Sequence, residues 1–248
     1  MAYTDRSFCW HGIVSPDTDA ARRFYTEALG WNAQDVPMGP DTTTVLDPGD
    51  GVPRVHLAAP QDGAPAHWDS YLRVEDVDAA TAAAAEHGGQ VLVPATDIPP
   101  GRFSVVTSPS GAALCLFHEA DPSSTDAPSE QGIHWTELHS HKLDADLAWL
   151  KASFGITTET MDMPNGPYTL LQLGERMVGG AMPAQSADAP SMWLVWLAVD
   201  DVEATADKVR ASGGSVLGDR MDAPGVGAMY VAADPTGGVF GIIEPARA

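Results

Sequence analysis

Hydrophobic and polar positions along the chain follow two alternating periods, one typical of strands and one typical of helices. Residues 8–14 are apolar and β-prone and predict a strand. The sequence Ser-Pro-Asp-Thr-Asp at 15–19 then starts a helix, in which Ala20, Phe24 and Leu29 form an apolar stripe, and Gly30 ends it. Short strands are predicted at 45–46 and 52–58. Residues 8–58 are therefore predicted to form a strand, a helix and several short strands.

The same order of elements recurs three more times along the chain. In the first half it comprises a strand at 69–74, a helix at 76–87 and strands at 91–93, 103–107 and 113–117. In the second half the predicted elements are 135–138, 144–154, 193–199, 202–211 and 229–243. The sequence therefore predicts an α+β protein of four βαβββ units, two in each half.

The two halves are copies of one another at an offset of 125 residues. The positions that match at this offset include Trp10 with Trp135, Trp68 with Trp193, and Gly88-Gly89 with Gly213-Gly214. Between the copies, residues 121–131 (DPSSTDAPSEQ) are rich in Pro, Ser and Asp, a composition typical of a linker. The repeat predicts a first domain at 1–120, a linker at 121–131 and a second domain at 132–248.

Composition narrows the classes of function. The 248 residues include 34 acidic and 13 basic side chains, a formal net charge of −21, which argues against nucleic acid or an anionic membrane as partner. Two cysteines are too few for a disulfide framework or a four-thiolate zinc site. No apolar run approaches the ~18 residues of a spanning helix, and the first residues lack signal-peptide character. We expect a cytoplasmic monomer or homodimer that binds a small organic molecule.

Several motifs resemble those of the vicinal oxygen chelate (VOC) superfamily, the glyoxalase, bleomycin-resistance and dioxygenase group. They are Trp10, Phe24-Tyr25 and Leu29-Gly30-Trp31, then Val74-Glu-Asp-Val-Asp-Ala-Ala, and in the second copy Trp135-Thr-Glu-Leu, Val199-Asp-Asp-Val-Glu-Ala and Asp234-Pro-Thr-Gly-Gly. The chain is most similar to tandem two-domain actinobacterial glyoxalase/hydroxylase-like members. The resemblance implies two tandem VOC domains, each pairing two βαβββ units into a curved mixed sheet around a cleft.

The resemblance also implies where a metal would bind. Metal-dependent members place one ligand on the first strand and one on the last strand of each unit. The matching positions are Trp10, His56, Asp69 and Cys115 in the first domain and Trp135, Gly179, Leu194 and Gly241 in the second. The second set has no donor. The first could hold Zn or Fe through His56, Asp69 and Cys115, but Cys115 replaces the usual Glu, so we expect no cofactor.

Alternate residues of a strand face the same side of the sheet. In the first domain, the cleft lining is therefore predicted to include Gly12, Tyr71, Arg73 and Phe117 as well. His56 and Asp69 would then form an acid/base pair, and Arg73 would hold a substrate anion or carbonyl oxygen. The alternative for Arg73 is a buried ion pair with Asp69 that only holds the cavity.

In the second domain, one strand places Trp135, Glu137, His139 and His141 on a single face. Glu137 and His139 are close enough for a general base and the partner that orients it. A structural role for Glu137, bracing the neighbouring strand, is the alternative.

Aromatic residues suggest the kind of ligand. Trp10, Trp135 and Trp196 are predicted to face the clefts and to bind ligand together with Tyr71 and Phe117, whereas Trp68 and Trp193 point to the opposite side. Most Trp residues are core residues, but indoles that face a cleft suit a flat, apolar or aromatic ligand.

Three functions remain open at this point. The first is an enzyme of secondary metabolism or detoxification that uses metal-independent acid/base catalysis for an isomerase, lyase, cyclase or hydrolase type of step. The second is a drug-sequestering protein of the bleomycin-resistance kind. The third is a metal-dependent dioxygenase or glyoxalase-like isomerase.

Overall fold

The computed structural model describes residues 7–49, 51–61, 63–120, 132–163 and 166–246. The predicted linker at 121–131 lies outside the described residues. Among the described residues, no helix is long and apolar enough to cross a membrane.

The first half of the chain consists of two βαβββ units. The first unit comprises β1 (Phe8–Val14), α1 (Thr18–Ala28), β2 (Asn32–Met38), β3 (Asp41–Asp47) and β4 (Val55–Ala58). The second comprises β5 (His67–Arg73), α2 (Val77–Glu86), β6 (Gln90–Ile98), β7 (Gly101–Thr107) and β8 (Ala113–Glu119). Asp17 and Asp76 cap the two helices, because each carboxylate accepts a hydrogen bond from the backbone N–H three residues further on.

The second half repeats this order. Its third unit comprises β9 (Gly132–Ser140), α3 (Leu143–Phe154), β10 (Thr157–Met163), β11 (Gly166–Leu173) and β12 (Arg176–Pro183). Its fourth comprises β13 (Met192–Ala198), α4 (Val202–Ala211), β14 (Ser215–Ala223), β15 (Gly227–Ala233) and β16 (Val239–Pro245).

Each half forms one eight-stranded mixed sheet. The strand order is β2-β3-β4-β1-β5-β8-β7-β6 in the first sheet and β10-β11-β12-β9-β13-β16-β15-β14 in the second. In both, the first strands of the two units pair antiparallel at the centre, and each first strand pairs in parallel with the last strand of its own unit. The predicted α+β fold of two tandem domains is confirmed.

The predicted ranges omit five strands, β2, β10, β11, β12 and β14, of which β2, β10 and β14 lie at sheet edges. β2 and β10 are outermost and read NAQDVPM and TTETMDM, and most of their residues are exposed or half-buried. Such strands lack the alternation of apolar and polar residues by which a half-buried strand is recognised. The predicted strand at 229–243 proves to be two strands, β15 and β16, joined by the turn after Ala233.

The helices lie between the two sheets, and the two domains share their hydrophobic cores. One buried cluster combines Phe24, Tyr25 and Trp68 of the first half with Leu197 and Phe240 of the second. A second cluster joins side chains of α2, β7 and β8 to side chains of α3, β9 and β12. The outer face of each sheet, on the side away from the helices, therefore points away from the other domain.

Buried polar contacts connect the halves as well. Asp146 on α3 is fully buried and accepts hydrogen bonds from the backbone N–H of Ser110 (3.0 Å), the Ser110 hydroxyl (2.5 Å) and the Ser140 hydroxyl (2.6 Å). On the other side of the interface, the Tyr25 hydroxyl donates to Asp234 at 3.0 Å. These contacts connect loops of one half to helices of the other, so the two domains form one packed body.

Candidate functional site

The outer face of the second sheet, here called the second face, carries a buried carboxylate. Glu137 lies on the central strand β9, directly opposite Gly180 of β12 and Leu194 of β13. It is 6% exposed and is surrounded mainly by apolar side chains. A carboxylate in such a place requires hydrogen-bond donors, because burial without them costs several kcal/mol.

Three side chains donate hydrogen bonds to Glu137. Nε2 of His139 lies 2.6 Å from Oε1, and the indole N–H of Trp196 donates to the same oxygen at 3.4 Å. The hydroxyl of Tyr168 donates to Oε2 at 2.5 Å. His139 is itself 16% exposed, so the pair borders solvent on one side. The structure thus brings together Glu137 and His139, whose pairing the strand period predicts.

Tyr168 belongs to this network although the sequence analysis did not identify it. It lies on β11, and its hydroxyl accepts the indole N–H of Trp135 at 2.8 Å. Burial raises the pKa of Tyr168 far above its ordinary value, and the neighbouring negative charge of Glu137 raises it further. The hydroxyl therefore remains protonated and acts as a donor to Glu137.

Glycine at 180 creates the space for Tyr168. A Cβ atom at this position would lie 1.8 Å from the Tyr168 hydroxyl oxygen and 2.9 Å from Nε1 of Trp135. Gly241 on β16 does the same for Trp196, because a Cβ there would lie 2.1 Å from the indole ring. Aromatic rings thus occupy the space above two glycines on the second face.

An apolar cluster forms the rest of the second face. Leu194, Trp196 and Ile243 are buried, and they pack against half-buried side chains that border the face, namely Trp135, Met192, Met229, Val231 and Val239. The predicted inward orientation of Trp135 and Trp196 agrees with these contacts. Trp68 and Trp193 pack instead in the shared cores between the sheets, as expected. The second face therefore combines one hydrogen-bonded carboxylate with an aromatic and apolar surrounding.

The outer face of the first sheet, the first face, has a different polar network. Gly12 of β1 lies opposite His56 of β4 and Asp69 of β5. The His56 ring lies over Gly12, where a Cβ atom would come within 2.5 Å of its Cε1. Nδ1 of His56 lies 3.0 Å from the Trp10 indole nitrogen and 3.1 Å from the backbone carbonyl oxygen of His11. Burial lowers the pKa of His56, which favours the neutral form of the ring.

Asp69 pairs with His67 and not with a cationic Arg. Nε2 of His67 lies 3.4 Å from Oδ1 of Asp69, and the hydrogen bond to Asp69 raises the pKa of His67. Burial raises the pKa of the Cys115 thiol well above its usual range, and the Asp69 charge adds to the effect. Cys115 is therefore a neutral thiol and not a nucleophilic thiolate.

The alternative role considered for Arg73, a buried ion pair with Asp69, is wrong. Nη2 of Arg73 pairs with Oε1 of Glu119 at 2.9 Å, because β5 and β8 run in parallel and Arg73 lies opposite Phe117, two residues before Glu119. Phe117 does border the face, with its ring edge against Tyr71 at 6.1 Å between centroids. His56 and Tyr71 also meet edge to face, at 5.7 Å.

The assignment of Gly179 to the cleft lining is also wrong. A Cβ at Gly179 would meet the backbone of Thr136 and the ring of Phe8, so this residue faces the shared core, and Gly180 lies on the second face. The wrong residue was matched to His56: His56 lies opposite Gly12 in the first sheet, and the equivalent residue opposite Glu137 in the second sheet is Gly180. An error of one residue along a strand moves a side chain to the other face of the sheet.

The donors at the implied metal positions do not form a metal site. On the second face, the residues in line with Glu137 are Gly180 and Leu194, and the Gly241 position is covered by an indole. On the first face, Trp10 and His56 are bonded to one another. Among the described residues, no group of three or more His, Cys, Asp or Glu side chains is arranged to hold a metal ion. The described residues at the implied positions thus offer no grouped set of three donors to a divalent metal.

Comparisons with known proteins agree with this architecture. The family model described as Glyoxalase/Bleomycin resistance protein/Dioxygenase superfamily matches residues 8–116 and 100–242. A Mycobacterium tuberculosis protein named "Putative glyoxylase CFP32" is 36% identical over 246 residues, covering 96% of this chain and 94% of its own. The anthracycline biosynthesis protein DnrV of Streptomyces peucetius is 28% identical over 123 residues, 44% of this chain and 45% of its own.

A solved structure with the same fold is the Mn(II)-bound glyoxalase from Novosphingobium aromaticivorans. It has a TM-score of 0.61 and 17% identity, and the match covers 98% of this chain and 82% of that one. At this level of identity the likeness concerns the fold alone.

Proposed function

This chain belongs to the Glyoxalase/Bleomycin resistance protein/Dioxygenase superfamily, and we propose that it is an enzyme that catalyses metal-independent proton transfer on a small organic molecule. The second face is the proposed active site, with Glu137 as general base and His139 as its partner. The observation that carries the proposal is the buried Glu137 carboxylate, which His139, Tyr168 and Trp196 hold with hydrogen bonds inside an apolar cluster.

The geometry suits acid/base catalysis for two reasons. The short contact of 2.6 Å between Glu137 and His139 fixes both side chains and gives the carboxylate a partner through which a proton exchanges with solvent. The apolar surrounding leaves Glu137 only 6% exposed, and this burial strengthens the electrostatic interactions of the carboxylate with a bound ligand.

The side chains around Glu137 on the second face also indicate a class of ligand. Indoles and methionines around one carboxylate favour a flat, apolar or aromatic molecule without negative charge. The names of two relatives, a glyoxylase and an anthracycline biosynthesis protein, are consistent with detoxification or secondary metabolism as the setting. Metal-independence is supported by the donor sets, in which rings fill the space at the second-face positions where a metal-dependent relative would place its ligands.

A probe reaction tests the proposal without the natural substrate. 5-Nitrobenzisoxazole opens to a coloured phenoxide when a base removes its single acidic C–H proton, so the rate reports a carboxylate base in an apolar site. We expect elimination with the purified protein after EDTA treatment, and a loss of about 10²-fold or more in Glu137→Gln. Glu203→Gln is the matched control, because Glu203 lies on α4 and pairs with Arg220 outside both faces. Wild-type rates in Glu137→Gln would refute the proposal.

The alternative is a sequestering protein of the bleomycin-resistance kind. The observation that favours it is the apolar cluster, which binds a flat ligand without any chemistry. Tryptophan fluorescence quenching by a flat aromatic probe measures that binding directly. Binding that is equal in wild type and Glu137→Gln, with no turnover in either protein, would support sequestration and exclude the enzyme.

A further inference from the structure

The two oxygens of Glu137 are not equivalent. A carboxylate offers about two lone-pair positions on each oxygen. Among the described residues, Oε1 accepts from both His139 and Trp196, whereas Oε2 accepts from Tyr168 alone. The open lone pair of the carboxylate is therefore on Oε2.

Tyr168 is the side chain that lies beside this open position. Its hydroxyl oxygen is 2.5 Å from Oε2 and donates its own proton there. The Trp135 indole donates to the same hydroxyl at 2.8 Å, which polarises the hydroxyl and strengthens it as a donor. A proton that reaches Oε2 from a ligand passes next to the Tyr168 hydroxyl.

From this arrangement, and resting on the function proposed above, we propose that Tyr168 is a catalytic residue and that the substrate carries its acidic C–H next to a carbonyl. Oε2 of Glu137 removes the proton from carbon, the C–H electron pair forms a C=C bond, and the carbonyl π pair moves to oxygen. As Oε2 becomes protonated it loses its charge, so the Tyr168 hydroxyl is released to donate to the new enolate oxygen. Return of the proton from Glu137 to carbon regenerates the carboxylate, and no further reactant is consumed.

The other two donors are less suited to this role. His139 and the Trp196 indole both point to Oε1, on the side of the carboxylate where no lone pair is open. Only Tyr168 has a hydroxyl at the oxygen that takes the proton, and only a hydroxyl can turn its hydrogen about the C–O bond from one acceptor to another.

The experiment compares two proton-transfer reactions. The first is deuterium exchange into 2-tetralone, a flat bicyclic ketone, followed by NMR in D₂O. The second is the elimination of 5-nitrobenzisoxazole, whose phenoxide product is a weakly basic anion that needs little hydrogen bonding. Because Tyr168 also holds the Glu137 carboxylate, its loss should affect both reactions. We expect Tyr168→Phe to lower ketone exchange about 10²-fold more than it lowers elimination, the extra loss typical of one donor to a developing oxyanion.

A matched control is Tyr230→Phe, because Tyr230 donates to Glu203 at 3.2 Å away from both faces. It should exchange 2-tetralone at the wild-type rate, and thermal unfolding verifies that both variants are folded. Full ketone exchange in Tyr168→Phe, or an equal loss in both reactions, overturns the catalytic role of Tyr168. Elimination that depends on Glu137 without any ketone exchange overturns the substrate class but leaves the proposed function intact. If neither reaction depends on Glu137, the proposed function fails as well.

Discussion

A single methyl group added at Gly180 should abolish the proposed proton transfer on the second face, although every polar residue of that face is still present. In Gly180→Ala the new Cβ would lie 1.8 Å from the Tyr168 hydroxyl oxygen. Since non-bonded heavy atoms keep about 3.5 Å apart, this oxygen must withdraw by about 1.5 Å or more. The hydrogen bond of 2.5 Å to Glu137 is then lost.

The cost follows from the bonds that break. A hydrogen bond to a charged group contributes about 1.5–3 kcal/mol, and a neutral one, such as that from Trp135, contributes about 0.5–1.5 kcal/mol. Because Tyr168 is only half-buried, water replaces part of this loss, so we expect the variant to be about 2–3 kcal/mol less stable than the wild type. For a chain of this size that amounts to a decrease in Tm of roughly 4–12 °C.

Thermal unfolding and ketone exchange together check this reasoning. Tyr168→Ala removes the ring that the methyl displaces, so adding Gly180→Ala to it should cost less than about 1 kcal/mol more, a strong non-additivity. Gly12→Ala is the matched change on the first face, where the new Cβ displaces His56. It should lower the Tm but leave proton transfer at Glu137 unchanged. A Gly180→Ala variant with wild-type Tm and wild-type ketone exchange would refute the reasoning.

Three further predictions concern pH, the domain interface and metals. Burial lowers the pKa of His11 to about 3, below its unfolded value of 6.5, so folding stability is lost as the pH falls through this range. From pH 7 to pH 5 we expect urea unfolding to show a loss of about 2 kcal/mol in the free energy of unfolding, and a smaller loss in His11→Gln. A wild-type stability that does not change between these pH values would contradict this. Ser110→Ala removes the hydroxyl contacts to Asp146 and Ser108 but keeps the backbone N–H bond to Asp146. It should cost about 1.5–3 kcal/mol while unfolding stays a single transition. Two separate transitions would show that the domains are independent. After EDTA treatment, added Mn²⁺ or Zn²⁺ should shift the Tm by less than about 1 °C, whereas stoichiometric binding in calorimetry would contradict the interpretation of both faces.

Much of the architecture could be predicted from local pattern. The offset of 125 residues and the alternation of helical and strand periods indicate four βαβββ units, and the structure has them. The period of two along β9 also places Glu137 and His139 on one face, because consecutive side chains of a strand point to opposite sides. These features depend on residues close together in sequence, and the backbone geometry of a strand or helix fixes them.

The glycine pairs Gly88-Gly89 and Gly213-Gly214 show which features a local sequence pattern does not predict. Gly88 and Gly213 adopt positive φ angles of 101° and 84° after helices, as a helix end requires. Gly89 and Gly214 meet a different constraint, because a Cβ at either position would collide with backbone oxygens of its own half, such as that of Thr107 or Ala233. A Cβ at Gly89 would also collide with Trp149, and one at Gly214 with Phe24, each from a helix of the other half. These two aromatic contacts exist only when the two domains pack together.

The sequence by itself determined the fold, the repeat and the pairing of Glu137 with His139, because each of these follows from a repeat along the chain or from periodicity within an element. Only the tertiary structure decided that Tyr168 joins Glu137, that Gly180 and not Gly179 lies beneath it, and that Arg73 pairs with Glu119. Strand register and neighbouring strands set these contacts. Tyr168 and Glu137 are 31 positions apart and Arg73 and Glu119 are 46 apart, and no period within one strand encodes such contacts.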